Sequence, residues 1–184
     1  MNIGERQKRV LKIVGIVVIS LLIISLGLVY WIISDHISEP KIYVNKEKRS
    51  LTKSTFFIRD IVRFPAKANV TPSNASDKIL RVGIDSGTDI LNFGRIYANM
   101  PVRKFVDIRN NEDRDVKICI KKYGSIAPYI NSSADSFIMK SNEYRKIQIS
   151  FTGKEIGYYE GEVDVIIKKP RYKIITPLLN WVGC

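Results

Sequence analysis

The chain has 184 residues, with 30 Lys and Arg against 18 Asp and Glu, a formal net charge of +12, one histidine and two cysteines. Setting aside an apolar N-terminal segment leaves about 150 residues, room for one domain of roughly 100 and a stalk. Two large domains are excluded, as are a disulfide-dense scaffold and a histidine-rich metal site.

Residues 1–12 hold Arg6, Lys8, Arg9 and Lys12 against Glu5 and form a basic leader. Residues 13–33 then run uncharged, rich in Ile, Leu and Val, and close on Tyr30 and Trp31. At about 1.5 Å per residue a helix of this length reaches about 31 Å, the thickness of a hydrocarbon core. In lipid the backbone has no water to bond, so such a segment must satisfy itself as a helix. The aromatic pair suits the far interface. No A-x-A cleavage pattern follows, which favours a retained signal-anchor over a removed signal peptide. Residues 34–43 carry Asp35 and Glu39 against Lys41. The positive-inside rule therefore places the N-terminus in the cytoplasm and the C-terminal part outside the cell. Three N-x-S/T sequons, at Asn69, Asn74 and Asn131, fall on that exterior side and are candidate glycosylation sites.

Residues 34–78 read as a basic stalk and linker. Within it, Phe57, Ile61 and Phe64 recur at i, i+4, i+7, with Arg59, Asp60 and Arg63 between them. That spacing predicts a short amphipathic helix over 54–64, a strand being the competing reading. Eight basic residues between Lys41 and Lys67, opposed by Glu47 and Asp60, suit anionic headgroups or acidic glycans, or a plain solvated linker. Pro65 to Lys78 has two prolines and no apolar period, so it reads as linker.

From Ile79 the period becomes two. Leu80, Val82 and Ile84 alternate with polar residues, and strands follow at 90–93, 102–108, 116–120, 137–139, 147–151 and 161–167. Asn110 to Asp115 is a turn cluster. About seven short strands spaced near ten residues predict an all-β, seven-stranded two-sheet sandwich over 79–170, preceded by the transmembrane α-helix. In the tail, 171–184, Tyr172 to Thr176 is a candidate edge strand broken by Pro177.

Catalytic constellations are sparse. His36, the single histidine, lies beside the apolar segment, so a His-dependent triad in the body is excluded. A Ser/Lys signal-peptidase arrangement fails because Asn99 precedes Met100-Pro101 where a serine is needed. Asp85 and Asp89 flank a Ser-Gly-Thr turn but lack the dense acidic pattern of a calcium loop. The reading is a non-enzyme without cofactor or metal and without nucleic acid as a partner. Cys119 sits between Lys117 and Lys121 on a polar strand face, and Cys184 is the last residue. An oxidising exterior allows a bridge between them, worth about 2–4 kcal/mol; two separate thiols and a partner-linked Cys184 are the alternatives.

Ile90-Leu-Asn-Phe-Gly-Arg-Ile96 followed by Val102 to Asn111 resembles the opening of immunoglobulin-like domains of the major sperm protein, hydin and PapD-like group. Ser136 to Phe151 resembles its paired strand–turn–strand, with Ser141-Asn142-Glu143 where Pro-Gly-Glu is usual. Gly157-Tyr-Tyr-Glu-Gly161 is similar to its Gly-x-Tyr-x-Gly entry to the last hairpin. The resemblance spans about Leu80 to Lys169 and implies an Ig-like sandwich, with Tyr159 as a structural tyrosine corner bonding back to backbone. Such domains are mostly interaction modules. The expectation is a membrane-anchored, extracytoplasmic Ig-like binding or structural module. It is held in lipid through residues 13–33 and contacts a surface layer, an appendage, or a protein or acidic-glycan partner. The rival is an accessory subunit of a membrane enzyme or transporter complex.

Overall fold

The computed structural model describes residues 3–33, 49–72 and 90–184, as one helix and a β body. The helix, α1, runs Ile3–Ile33. Its Leu11–Trp31 segment is long and apolar enough to cross a membrane, and none of it is buried by protein. Ser20 and Ser25 return their hydroxyls to the carbonyls of Ile16 and Leu22, so even these polar side chains are satisfied within the helix.

The body is two β-sheets packed face to face. Nine strands are described: β1 Arg49–Lys53, β2 Phe57–Thr71, β3 Leu91–Tyr97, β4 Val102–Arg109, β5 Val116–Gly124, β6 Ile130–Ser132, β7 Ser136–Met139, β8 Tyr144–Phe151 and β9 Gly157–Pro170. The larger sheet has the order β1-β2-β9-β5-β7, with β3 also on β2; the smaller is β4-β8-β6. Every pair is antiparallel except β2–β3, which is parallel. One core cluster joins the two sheets, with Ala68, Phe93, Ile118, Ile147, Phe151 and Val163 among its members. The rings of Phe93, Tyr129 and Tyr159 lie around Phe151 at centroid distances of 5.4, 6.3 and 5.6 Å.

Three expectations need correction. The sequence reading has seven strands starting at Ile79; the structure has nine described strands, beginning at Arg49. The first strand expected, at 80–84, lies outside the described residues. The segment 54–64 is not a helix: from Phe57 it is the start of β2, and the supposed linker Pro65 to Thr71 continues the same strand. β2 is central, with β1 and β3 along one edge and β9 along the other. From Phe57 to Phe64 no residue is exposed, and a stretch covered on both faces carries apolar residues at successive positions, which blurs the period-two signal; from Pro65 to Val70 exposed and buried residues alternate. Asp60 and Arg63, which look like a solvent face, are buried. Pro65 falls between the end of the β1 pairing at Val62 and the start of the β3 pairing at Ala66. A missing N–H is tolerated where one edge of the strand has no ladder to complete.

The third correction is the tail. Lys173–Asn180 forms a 3-10 helix, η2, rather than an edge strand. Ile175 and Leu179 are its buried residues, and it packs on β5 and β9. The inner face of those strands is taken by the smaller sheet, so η2 covers the outer one.

Candidate functional site

The outer face of the larger sheet carries charge where apolar residues are the rule. Strand register sets Arg63 of β2 beside Asp164 of β9, and Lys121 of β5 beside Asp164 on its other flank. One step along β9 in each direction on this face, Glu162 lies next to Tyr123 and Ile166 lies next to Cys119. Beyond them Lys168 sits between Arg59 and Lys117. Glu162, Asp164 and Lys168 are all buried. Arg63 Nε stands 3.8 Å from Asp164 Oδ2, and its Nη1 donates to Ser50 Oγ at 3.1 Å.

Burial, reinforced by the neighbouring Glu162 carboxylate and opposed by Arg63, pushes Asp164 up to about 6. Asp164 Oδ1 accepts no hydrogen bond among the described residues, which leaves its charged form poorly solvated. The stripe is thus an ionisable layer inside the body. Its acid titrates near neutrality.

A second cluster lies on the other face of the same sheet, at one end of the sandwich. Arg49 grips Asp60 through two nitrogens, Nε donating to Oδ1 at 2.8 Å and Nη2 contacting Oδ2. Lys169 Nζ lies 3.7 Å from Asp60 and donates to Glu112 Oε1 at 2.7 Å. Hydrogen bonds from Arg49, above all, hold the Asp60 carboxyl below the usual range. These four residues rim a cleft of about 170 Å³ whose floor includes Ile118, Met139 and Ile167. Arg109 lines the cleft as well, so three cations face two anions around it.

Asn110, read from the sequence as part of a turn, organises this end. It is buried, its Nδ2 donates to the carbonyls of Arg114 and Lys140 at 2.9 and 2.8 Å, and its Oδ1 accepts from Glu112 N–H at 3.1 Å. Its position just past an alternating strand and before a polar turn was the signal available.

Of the residues singled out from the sequence, Asn69 on β2 and Asn131 on β6 are exposed. Asn74, His36, Asp85 and Asp89 lie outside the described residues. Tyr159 is buried and its hydroxyl donates to the Glu155 carbonyl at 2.8 Å, four residues upstream. Its ring lies 4.9 Å from that of Tyr129. Cys119 and Cys184 are both disulfide-bonded, and no cysteine is free. Among the described residues no three His, Cys, Asp or Glu are grouped so as to hold a metal ion. Comparison with protein-family models, with curated proteins and with solved structures returns no match.

Proposed function

We propose that the chain is a membrane-anchored, extracytoplasmic binding or structural module: an Ig-like β-sandwich held at the cell surface by α1. The observation that carries this reading is a 21-residue apolar helix, unburied by the described residues, beside a body that has a hydrophobic core of its own. An uncovered apolar surface of that length is stable in lipid and not in water. The charge bias across α1 supports a cytoplasmic N-terminus. Oxidised cysteines support an exterior body, since cytosolic thiols are kept reduced. The exposed sequon asparagines Asn69 and Asn131 agree with that side. The backbone-bonded Tyr159 and the two-sheet core support the Ig-like assignment.

The exterior part, residues 34–184, holds 26 basic against 17 acidic residues, which favours acidic protein or glycan partners. Affinity purification of the tagged full-length chain from its native membrane tests the reading. A surface-layer, appendage or acidic-glycan component should co-purify and be released by salt. Recovery instead with one integral membrane enzyme or transporter, unaffected by salt, replaces the reading with that of an accessory subunit.

A further inference from the structure

The smaller sheet ends on β4, whose far edge is unpaired among the described strands. The geometry fixes which groups that edge presents. Asn110 N–H, one residue past β4, donates to Glu143 O on the β8 side at 2.9 Å. Peptide groups alternate in direction along a strand. Val102, Lys104, Val106 and Ile108 therefore point at β8, and Arg103, Phe105, Asp107 and Arg109 point their N–H and C=O away from it. The opposite side of the sheet agrees: Gln148 accepts from Ser133 N–H at 2.9 Å on the β6 side.

The same four residues set their side chains on the outer face, which no described element covers, and each is exposed. Phe105 keeps 56% of its surface open, with Lys146 Nζ 5.6 Å from its ring centroid. Tyr144 donates its hydroxyl to Asp107 at 2.6 Å, which fixes the carboxylate on that face.

We infer that β4 is a self-pairing edge, through which a second copy of this chain adds antiparallel about a two-fold axis at Phe105. The sequence of the edge decides the register. In an antiparallel ladder, residues that point at each other must pair, so Arg103, Phe105, Asp107 and Arg109 meet only one another. Four symmetric registers have their axis in the middle of the strand, at Lys104, Phe105, Val106 or Asp107. One sets Asp107 on Asp107. A second sets Arg103 on Arg109 twice. A third sets Phe105 on Arg103 twice and leaves Asp107 opposite Pro101. The fourth sets Phe105 on Phe105 and Arg103 on Asp107 twice, with Val102 against Ile108 on the inner face. Like charges directly opposed destabilise a sheet, and aromatic and opposite-charge pairs stabilise it. The fourth register alone combines both gains without a like-charge pair. Its pattern of cation, aromatic and anion at every second residue is its own complement when reversed, which is what an isologous two-fold contact requires. The product is a continuous six-stranded sheet that closes the exposed edge.

The test is the protein mass of the full-length chain in mild detergent. The wild-type chain is expected to be dimeric. Asp107→Arg puts Arg103 against an arginine at two places and should weaken the dimer about tenfold or more. The double variant Arg103→Asp/Asp107→Arg restores two opposite-charge pairs in the same register and should recover the dimer. That recovery also separates lost pairing from lost folding, and from any association through α1. A wild-type chain that stays monomeric overturns the inference. So does a dimer equally strong in the wild-type, single and double variants, or a double variant no better than the single.

Discussion

Asp164 is the most informative residue to perturb, because its titration reports directly on the buried charge stripe. Free in an unfolded chain its carboxyl sits at 3.8; in the folded body it is pushed up to about 6, by burial first and by Glu162 second. Between those values the folded chain holds the proton more tightly than the unfolded one. The stability contributed by neutral Asp164 is therefore fully present below about pH 4 and is lost as pH rises through 6. A shift of roughly two units corresponds to about 3 kcal/mol at 1.36 kcal/mol per unit. Asp60 runs the other way: its lowered carboxyl stabilises above the ordinary carboxylate range, and this is lost as pH falls. The two slopes overlap in the wild-type chain, so the variant Asp164→Asn is compared with wild type pH by pH. Chemical unfolding of the full-length chain in detergent, followed by far-UV circular dichroism, gives both stabilities. From pH 4 to pH 8 the variant should gain about 3 kcal/mol relative to wild type. A difference that stays constant across that range would show that Asp164 is solvated and that the stripe is not a buried layer.

Other substitutions test the packing. Phe151→Ala removes a fully buried ring set among Phe93, Tyr129 and Tyr159 and should destabilise the body by about 3–5 kcal/mol in the same unfolding assay. Gly161→Ala would place a Cβ 1.9 Å from the Tyr123 carbonyl oxygen, where β9 meets Gly124 of β5. Gly124 has φ 86° and leaves as little room, 2.5 Å to the Glu160 carbonyl oxygen. Neither backbone can yield, and a loss of about 3 kcal/mol or failure to accumulate folded protein is expected. The unreduced chain should weigh two hydrogens less than the dithiol and take up no alkylating reagent until reduced. Reduction should lower stability by about 2–4 kcal/mol.

The parts of the fold that obey a simple period were legible in the sequence. The uncharged stretch 13–33 lies within α1, and the alternation of Val102 to Ile108 and Val116 to Ile120 marks β4 and β5. The failures on β2 and β9 share one physical cause, which is burial on both faces. Phe57, Ile58, Ile61 and Val62 mimic a helical stripe because β2 is covered front and back, and the polar residues among them are paired inside the protein. Asp60 is fully buried and held by Arg49, which lies eleven residues earlier, so no local pattern reveals it. The charge stripe escaped for the same reason: Glu162, Asp164 and Lys168 alternate with Val163, Val165 and Ile167, and nothing in that order says that the charged set is buried as well. The tail looked like a strand because Ile174 and Ile175 favour one, yet Lys173–Asn180 winds as a 3-10 helix with Pro177 inside it, where strand pairing would need the missing N–H.

The central claim is that α1 fixes this β body to the outer face of a membrane, and protease added to intact cells tests it most directly. Full-length protein should lose its C-terminal body to the protease while the basic residues 1–12 stay protected. A body that survives in intact cells but is digested once they are lysed would place it inside and contradict the account.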